Sequence, residues 1–157
     1  MVQVFRIAKG KHSGNVAEML SGRGALLHGG RWNSPGRSVV YTSSSRALAT
    51  LEVAVHLNNP AVLPAYKILP LEIPEGLVLL ISAENLPEGW DEKVLNPTGV
   101  QAWGDVWFDE GICAVMQVPS AVVPGEHNYL LNPGHEDFRH IAAGEIEDYG
   151  FDPRIKS

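Results

Sequence analysis

The sequence predicts a single α+β domain over residues 1–157, with a mostly antiparallel sheet and flanking helices. The predicted elements are short and mixed along the chain, and no internal repeat, low-complexity tract or linker divides it. The length fits one domain, and a hydrophobic content of 45% is sufficient to form a core.

The first third predicts two strands and a helix. Residues 2–7 (V-Q-V-F-R-I) alternate as a strand does, and residues 38–41 (S-V-V-Y) form an apolar strand between Gly- and Pro-rich segments. Residues 46–57 lack Gly and Pro, which predicts a helix capped by Ser43, Ser44 or Ser45 and ended by N-N-P.

The middle of the chain predicts further strands and a second helix. Residues 61–73 are β-like but contain Pro64 and Pro70, which indicates an edge or a bulge, and P-E-G leads into the strand L-V-L-L-I-S. After a polar stretch, residues 98–110 carry apolar side chains at helical spacing, and Gly111 is placed as a C-terminal cap.

The last third predicts four short strands followed by an acidic tail. Their sequences are I-C-A-V-M-Q-V, A-V-V-P, N-Y-L-L-N-P and D-F-R-H-I. The short strands complete the predicted antiparallel sheet, and the tail is expected to be a solvated surface.

Charge is distributed unevenly. Residues 1–50 hold seven Lys or Arg and a single acid, Glu18, whereas the rest of the chain holds five basic and seventeen acidic residues, for a net charge of −6. General nucleic-acid binding is not expected, because it needs many cations acting together. The basic first third favours a small anionic ligand.

Several other classes lack support. There is no G-x-G-x-x-G, no G-K-[ST] and no H-E-x-x-H, and the six histidines form no ligand pattern, so no metal is expected. The single cysteine, Cys113, excludes an internal disulfide and is expected to pack as a small hydrophobic residue. Neither a membrane span nor a secretory signal is apparent, so a cytoplasmic location is expected.

The stretch from His28 to His56 contains the parts of a charged site. Arg31 follows two glycines, and its guanidinium could hold a phosphate or carboxylate with paired hydrogen bonds. Glu52 lies on an otherwise apolar helix and needs a partner. A structural ion pair between Arg31 and Glu52 is the alternative to a shared ligand. His28 could line the site, and His56 is either a hydrogen-bonding neighbour of Glu52 or a catalytic group.

Seven collinear segments resemble the RES-domain family over nearly the whole chain. They are R-I, G-G-R-W-N-S-P-G, V-V-Y-T-S-S-S, A-L-A-T-L-E, W-G-D-x-W, V-P-S-A-V-V-P and N-Y-L-L-N-P-x-H-x-D-F. The family comprises toxins of bacterial Xre–RES toxin–antitoxin pairs. Its shared arginine, glutamate and serine fall on Arg31, Glu52 and Ser120. The resemblance implies a fold similar to that of ADP-ribosyltransferases and an activity that consumes NAD.

The resemblance also implies roles for the candidate residues. Glu52 would stabilise positive charge on the ribose during cleavage of the nicotinamide bond, and Arg31 would bind pyrophosphate or ribose oxygens. Tyr41 resembles an aromatic platform for nicotinamide, although a strand-end tyrosine is otherwise more often part of the core. Three further polar residues are candidates. Ser120 and Asn132 could contact the ligand or tie turns, and Arg6 could be a second phosphate ligand.

The expected function is that of a toxin that arrests growth by consuming NAD, with water or inorganic phosphate as acceptor. Transfer of ADP-ribose to a protein is the nearest alternative, and a non-catalytic module that binds its antitoxin is an alternative of another class. The implied partner is an Xre-type helix-turn-helix antitoxin, to which any DNA binding would belong. A homodimer within the toxin–antitoxin complex is left open.

Overall fold

The protein is built around one sheet, which a computed structural model describes together with its helices over residues 1–57, 65–94 and 97–156. Within those residues the strands are β1 (Val2–Lys9), β2 (Val40–Ser43), β3 (Tyr66–Ile73), β4 (Val78–Leu80), β5 (Val115–Pro119), β6 (His127–Leu131), β7 (Ala142–Ala143) and β8 (Glu147–Tyr149). The α-helices are α1 (Val16–Met19), α2 (Arg23–His28), α3 (Arg46–Ala54) and α4 (Thr98–Glu110).

The strand order is β4-β5-β6-β2-β1-β3-β7, and β8 pairs with β3 alongside β7. Every pairing of these strands is antiparallel except that of β4 with β5. The prediction of an α+β fold with a mostly antiparallel sheet is therefore confirmed.

The junction between β1 and β2 is the weakest in the sheet. β1 pairs with β3 along its whole length, but with β2 it forms one residue pair, Phe5 with Ser43. Beyond that pair the ladder stops, and residues 6–9 of β1 and residues 41–42 of β2 line a cavity instead. The candidate site therefore lies at a gap in the sheet.

A proline is accommodated inside β3 because the outer partner changes at that point. β8 pairs with residues 66–68 and β7 with residues 71–72, and Pro70 lies between the two. The Pro70 carbonyl accepts a bond from the Gly144 N–H on this outer side, where the missing proline N–H removes no ladder bond. The edge predicted at Pro70 is therefore a local gap between the two outer partners of β3. Pro64 lies outside the described residues.

The two longer helices follow their local sequence signals. The Ser45 hydroxyl accepts a hydrogen bond from the Leu48 N–H at 3.0 Å and caps α3, which ends at Ala54 rather than at residue 57. The predicted stop at N-N-P lies outside the described residues. Helix α4 has the predicted bounds, and Gly111 ends it in the left-handed region with φ 60°.

Two predictions for the last third were wrong. Residues 121–124 form a turn, because the Val122 and Val123 N–H groups both donate to the Ser120 hydroxyl. Residues 137–141 lie largely in a 3-10 helix, Glu136–His140, because the His135 Nδ1 accepts a bond from the Asp137 N–H and caps it. The acidic tail is largely exposed, as expected, and it also supplies the short strands β7 and β8.

Two other strands differ from their predicted bounds. The strand predicted over S-V-V-Y is shifted by two residues, to Val40–Ser43, and L-V-L-L-I-S forms a strand only over Val78–Leu80. No helix among the described residues has both the length and the hydrophobicity needed to cross a membrane.

Candidate active site

A cleft of about 880 Å³ lies where β1 and β2 part, bounded by α3, the loop after α2 and the turn after β5. Its size falls within the range of small-molecule sites. Its charged and polar lining residues include Arg6, Lys9, Arg31, Tyr41, Glu52, His56 and Asn128. The cleft is therefore mostly cationic in a protein whose net charge is negative.

Glu52 is held by one of its two carboxylate oxygens. Its Oε1 accepts hydrogen bonds from the Ser120 hydroxyl at 2.6 Å and from the Asn128 amide Nδ2 at 2.7 Å. Among the described residues, Oε2 has no hydrogen-bond partner. Charge-assisted bonds of this kind orient a carboxylate strongly. The described side chains thus orient Glu52 through one oxygen alone.

Asn128 is a site residue that the sequence analysis missed. Its Oδ1 accepts a bond from the Ser43 hydroxyl at 2.6 Å, and its Nδ2 donates to Glu52. Both ends of the amide are therefore used, which fixes its orientation. The available signal was an asparagine beside the apolar run Y-L-L, a signal that Asn132 at the other end of N-Y-L-L-N-P shares.

Arg31 is bound to backbone rather than to a carboxylate. Its guanidinium donates to the carbonyls of Trp90 and Glu92, both at 2.8 Å, and of Val94 at 3.3 Å. Partial burial lowers the pKa of Arg31, while Glu52 and other acids nearby oppose that effect. No ion pair joins Arg31 to Glu52 in the described structure, so the alternative of a structural pair is not observed. Arg31 instead fixes residues 90–94 beside the cleft.

Tyr41 is fixed by its hydroxyl. The hydroxyl donates to the Asn33 Oδ1 at 2.5 Å and accepts a bond from the Trp32 N–H at 3.1 Å. Burial raises the pKa of Tyr41, so the phenol stays neutral. A Cβ on Gly30 would lie 2.5 Å from the hydroxyl oxygen, so only glycine allows this approach. The ring is therefore a rigid part of the cleft wall.

Arg6 is a half-buried cation at the gap in the sheet. Its Nε donates to the Met19 carbonyl at 3.2 Å and its Nη1 to the Tyr41 carbonyl at 3.3 Å. Burial lowers its pKa to about 10. No acidic side chain of the described residues pairs with it, so its remaining donors are suited to an anionic ligand.

The remaining predicted residues are not all brought together. Ser120 is buried and reaches the site through Glu52, and His56 lines the cleft with a pKa lowered by burial. His28 is exposed at the end of α2 and does not line the cleft. Asn132 lines a separate depression, where its Oδ1 accepts a bond from the Gly134 N–H. The expectation that these last two line the site is therefore corrected.

Across the described ranges no cluster of acidic, histidine or cysteine side chains could hold a metal ion.

The chain matches a family model described as RES domain over residues 3–152. The crystal structure of the M. tuberculosis MbcT–MbcA toxin–antitoxin complex contains a chain with the same fold. The TM-score is 0.76 at 18% identity, and the match covers 98% of this chain and 85% of that one. At this identity the likeness supports the fold alone.

Relatives of higher identity are named as toxins. The Prs ADP-ribosylating toxin of Sphingobium sp. is 40% identical over 88% of each chain. Toxin Res of Photorhabdus laumondii is 35% identical, over 97% of this chain and 96% of the relative, and Toxin Res of Yersinia enterocolitica is 31% identical over 99% and 100%. The resemblance inferred from the seven segments is thus confirmed. The chain belongs to the RES domain family and is a RES-domain toxin.

Proposed function

We propose that this toxin binds NAD in the cleft and cleaves the bond between nicotinamide and ribose, which arrests growth by consuming the cofactor. The observation that supports this most directly is the Glu52 carboxylate, which the described residues hold by one oxygen only. Over the described residues, the same cleft is lined by two arginines and no other acid. A cationic cleft fits a pyrophosphate, and a fixed carboxylate fits the ribose beside it.

Glu52 is the catalytic residue in this proposal. Departure of nicotinamide leaves oxocarbenium character on the ribose, and a carboxylate held in place stabilises that charge. Oε2, which no described residue bonds, binds a ribose hydroxyl, while Ser120 and Asn128 hold Oε1. Because the carboxylate is already oriented, little reorganisation is needed at the reaction step.

The two arginines have different roles in binding the anionic part of NAD. Arg6 offers most of its guanidinium and receives the pyrophosphate, whereas Arg31 contributes its charge and those donors that residues 90–94 do not use. The fixed ring of Tyr41 provides a surface on which nicotinamide stacks.

The reaction balances without a general acid. The bond from the ribose C1′ to the nicotinamide nitrogen breaks, and its electron pair leaves with nicotinamide as a neutral base. An oxygen of water or inorganic phosphate forms the new bond to C1′. The proton of water, or one carried by the phosphate, passes to solvent.

A second candidate is transfer of ADP-ribose to a protein through the same site. It is favoured by the name of the Sphingobium relative, an ADP-ribosylating toxin. The two candidates differ only in the acceptor that attacks the ribose.

An antitoxin is the expected partner, and we propose that it is of the Xre helix-turn-helix type. The structural neighbour comes from a toxin–antitoxin complex, which supports a partner of this general kind.

The test measures nicotinamide release from NAD by purified protein in buffer alone, with inorganic phosphate, and with a cell extract as the source of protein acceptors. Release in the first two arms supports hydrolysis or phosphorolysis, and the masses of the products distinguish them. Release only with extract, together with labelled protein, supports transfer.

Variants make the same test specific to the site. Glu52→Gln should lower kcat by roughly 100-fold or more, the scale of losing a key electrostatic contact. Glu110→Gln, which changes an exposed carboxylate at the end of α4, should retain activity. No release in any arm, together with unaffected growth, would leave the non-catalytic antitoxin-binding module.

A further inference from the structure

The C-terminal segment, residues 147–156, runs along α3 and contacts it near its start, at its middle and at its end. We call this segment the C-terminal strap. Near the start of the helix, Glu147 accepts a bond from the Arg46 guanidinium at 2.9 Å. This exposed ion pair contributes little by itself. The other two contacts are better protected from solvent.

The middle contact joins Tyr149 to Thr50. Thr50 is buried, and its hydroxyl proton is donated to the Arg46 carbonyl at 2.7 Å. The Tyr149 hydroxyl must therefore donate to the Thr50 oxygen. Thr50 lies two residues before Glu52, so this bond fixes the helix next to the carboxylate.

The end contact is a cap supplied by Lys156. Its ammonium donates to the carbonyls of Leu57 at 2.7 Å and Val55 at 3.3 Å, in the segment that ends α3. The last carbonyls of a helix lack intrahelical partners, and a cation is favourable beside them. Lys156 therefore binds the end of the helix that lies beside the cleft.

Aromatic packing joins the strap to the cleft wall. The Phe151 ring lies 4.7 Å from Tyr66 and 5.3 Å from Tyr149 between ring centroids, both edge to face. These rings belong to an apolar cluster that includes Val53 of α3. Tyr66 and Val53 also line the cleft. The strap thus packs directly behind residues that form the site.

Glu52 is bound from the opposite direction. Ser120 and Asn128, which hold its Oε1, belong to the turn after β5 and to β6, across the β1–β2 gap from the strap. The position of the carboxylate therefore depends on two supports. The strap holds α3 on one side, and Ser120 and Asn128 hold the Glu52 carboxylate on the other.

We propose that the C-terminal strap is a positioning element for catalysis, with Tyr149 and Lys156 as positioning residues that act through α3 on Glu52. This inference rests on the proposed cleavage of NAD. Because Glu52 acts on charge that develops in the transition state, loosening α3 should affect kcat more than KM.

The test compares Tyr149→Phe, which removes one hydroxyl, and Lys156→Met, which removes one ammonium, with the wild type. Each should lower kcat for nicotinamide release by roughly 3- to 10-fold, the effect of one hydrogen bond, with KM nearly unchanged. Rates are normalised to the fraction of protein that binds ADP-ribose, which removes losses caused by unfolding. Lys156→Arg should restore most of the rate, because it keeps a cation at the helix end.

Asp148→Asn is the matched control, because Asp148 lies in the same strap but pairs with Lys67 of β3 rather than with α3. It should keep the wild-type kcat. An equal loss in Asp148→Asn, or an unchanged kcat in both Tyr149→Phe and Lys156→Met, would overturn the inference.

Hydrogen exchange separates failure of this inference from failure of the proposed function. If the wild type releases no nicotinamide, cleavage of NAD is wrong, but the strap can still be tested through the α3 amides. These amides should exchange faster in Tyr149→Phe and Lys156→Met and at the wild-type rate in Asp148→Asn. Unchanged exchange in both variants would show that the strap does not hold the helix.

Discussion

At the scale of single residues, the site depends on how one carboxylate is held. Glu52 receives two short hydrogen bonds on one oxygen, and each donor is itself fixed. Ser120 accepts bonds from two backbone N–H groups, so its single proton is available to Glu52. Asn128 is oriented by Ser43. The chain therefore uses neutral donors, rather than a cation, to orient its carboxylate.

This arrangement predicts that Ser120→Ala and Asn128→Ala each lower kcat for nicotinamide release by roughly 10- to 100-fold, because a hydrogen bond to a charged group contributes about 1.5–3 kcal/mol. The double variant should lose less than the product of the two effects, since both act on the same oxygen. Steady-state kinetics on folded protein provides the measurement.

Asn132→Ala is the matched control for these variants. It removes a second buried asparagine of the same N-Y-L-L-N-P segment, but one that bonds Gly134 outside the cleft. It should keep kcat while lowering stability. A loss of kcat as large as that of Asn128→Ala would contradict the assignment of Asn128.

The contrast between these asparagines shows which site residues could be predicted from the sequence. Arg31, Tyr41 and Glu52 are unusual in their own local segments, and all three line the cleft. Asn128 differs from Asn132 only by its pairing opposite Ser43, which is 85 residues away in the chain. A pairing between such distant strands leaves no local pattern.

At the scale of elements, α4 supports the loop that carries Arg31. Gly104 faces the Trp32 carbonyl so closely that a Cβ at this position would overlap it. Gln101, one turn earlier, donates to the carbonyls of Gly30 at 2.9 Å and Asn33 at 3.1 Å. The helix therefore packs against the backbone of this loop and sets its position.

Gly104→Ala should destabilise the protein by about 1–3 kcal/mol, because the extra methyl group forces the helix away from the loop. Gly99→Ala in the same helix should be neutral or slightly stabilising, since a Cβ there meets no atom within 4 Å. Urea denaturation of the two variants measures the difference. Equal midpoints would show that the helix does not pack closely on Trp32.

The elements predicted correctly are those with local signals. Helix α4 combines an apolar periodicity with a glycine cap, so its bounds could be predicted, and a serine cap marks the start of α3. Strands β7 and β8 contain two and three residues, too few to show any alternation. They form because β3 offers them an unpaired edge, which is a property of the assembled sheet.

At the scale of the whole molecule, the charge asymmetry of the sequence corresponds to a cleft built largely from the first third of the chain. Arg6, Lys9 and Arg31 line it, and Glu52 is its single carboxylate within the described part of the chain. Concentrating cations in a cleft favours capture of an anionic ligand even when the protein is acidic overall.

Binding should stabilise the whole fold. With Glu52→Gln, which slows the cleavage of NAD, an NAD concentration 100 times Kd should add about 2.7 kcal/mol to the free energy of unfolding. For a protein of this size that corresponds to a rise in Tm of roughly 5–10 °C. Thermal denaturation with and without NAD measures it, and Arg6→Gln in the same background should reduce the shift. A Tm that does not respond to NAD would count against the cleft as its site.

The single residue pair between β1 and β2 has a mechanical consequence. A sheet bends most easily where the fewest hydrogen bonds cross it, and in this sheet that line runs through the cleft. On one side are β1, β3 and the strap, and on the other β2, β6, β5 and β4. The cleft is lined from both halves. We therefore expect that bending at this junction would change the width of the cleft without breaking the bonds that hold Glu52.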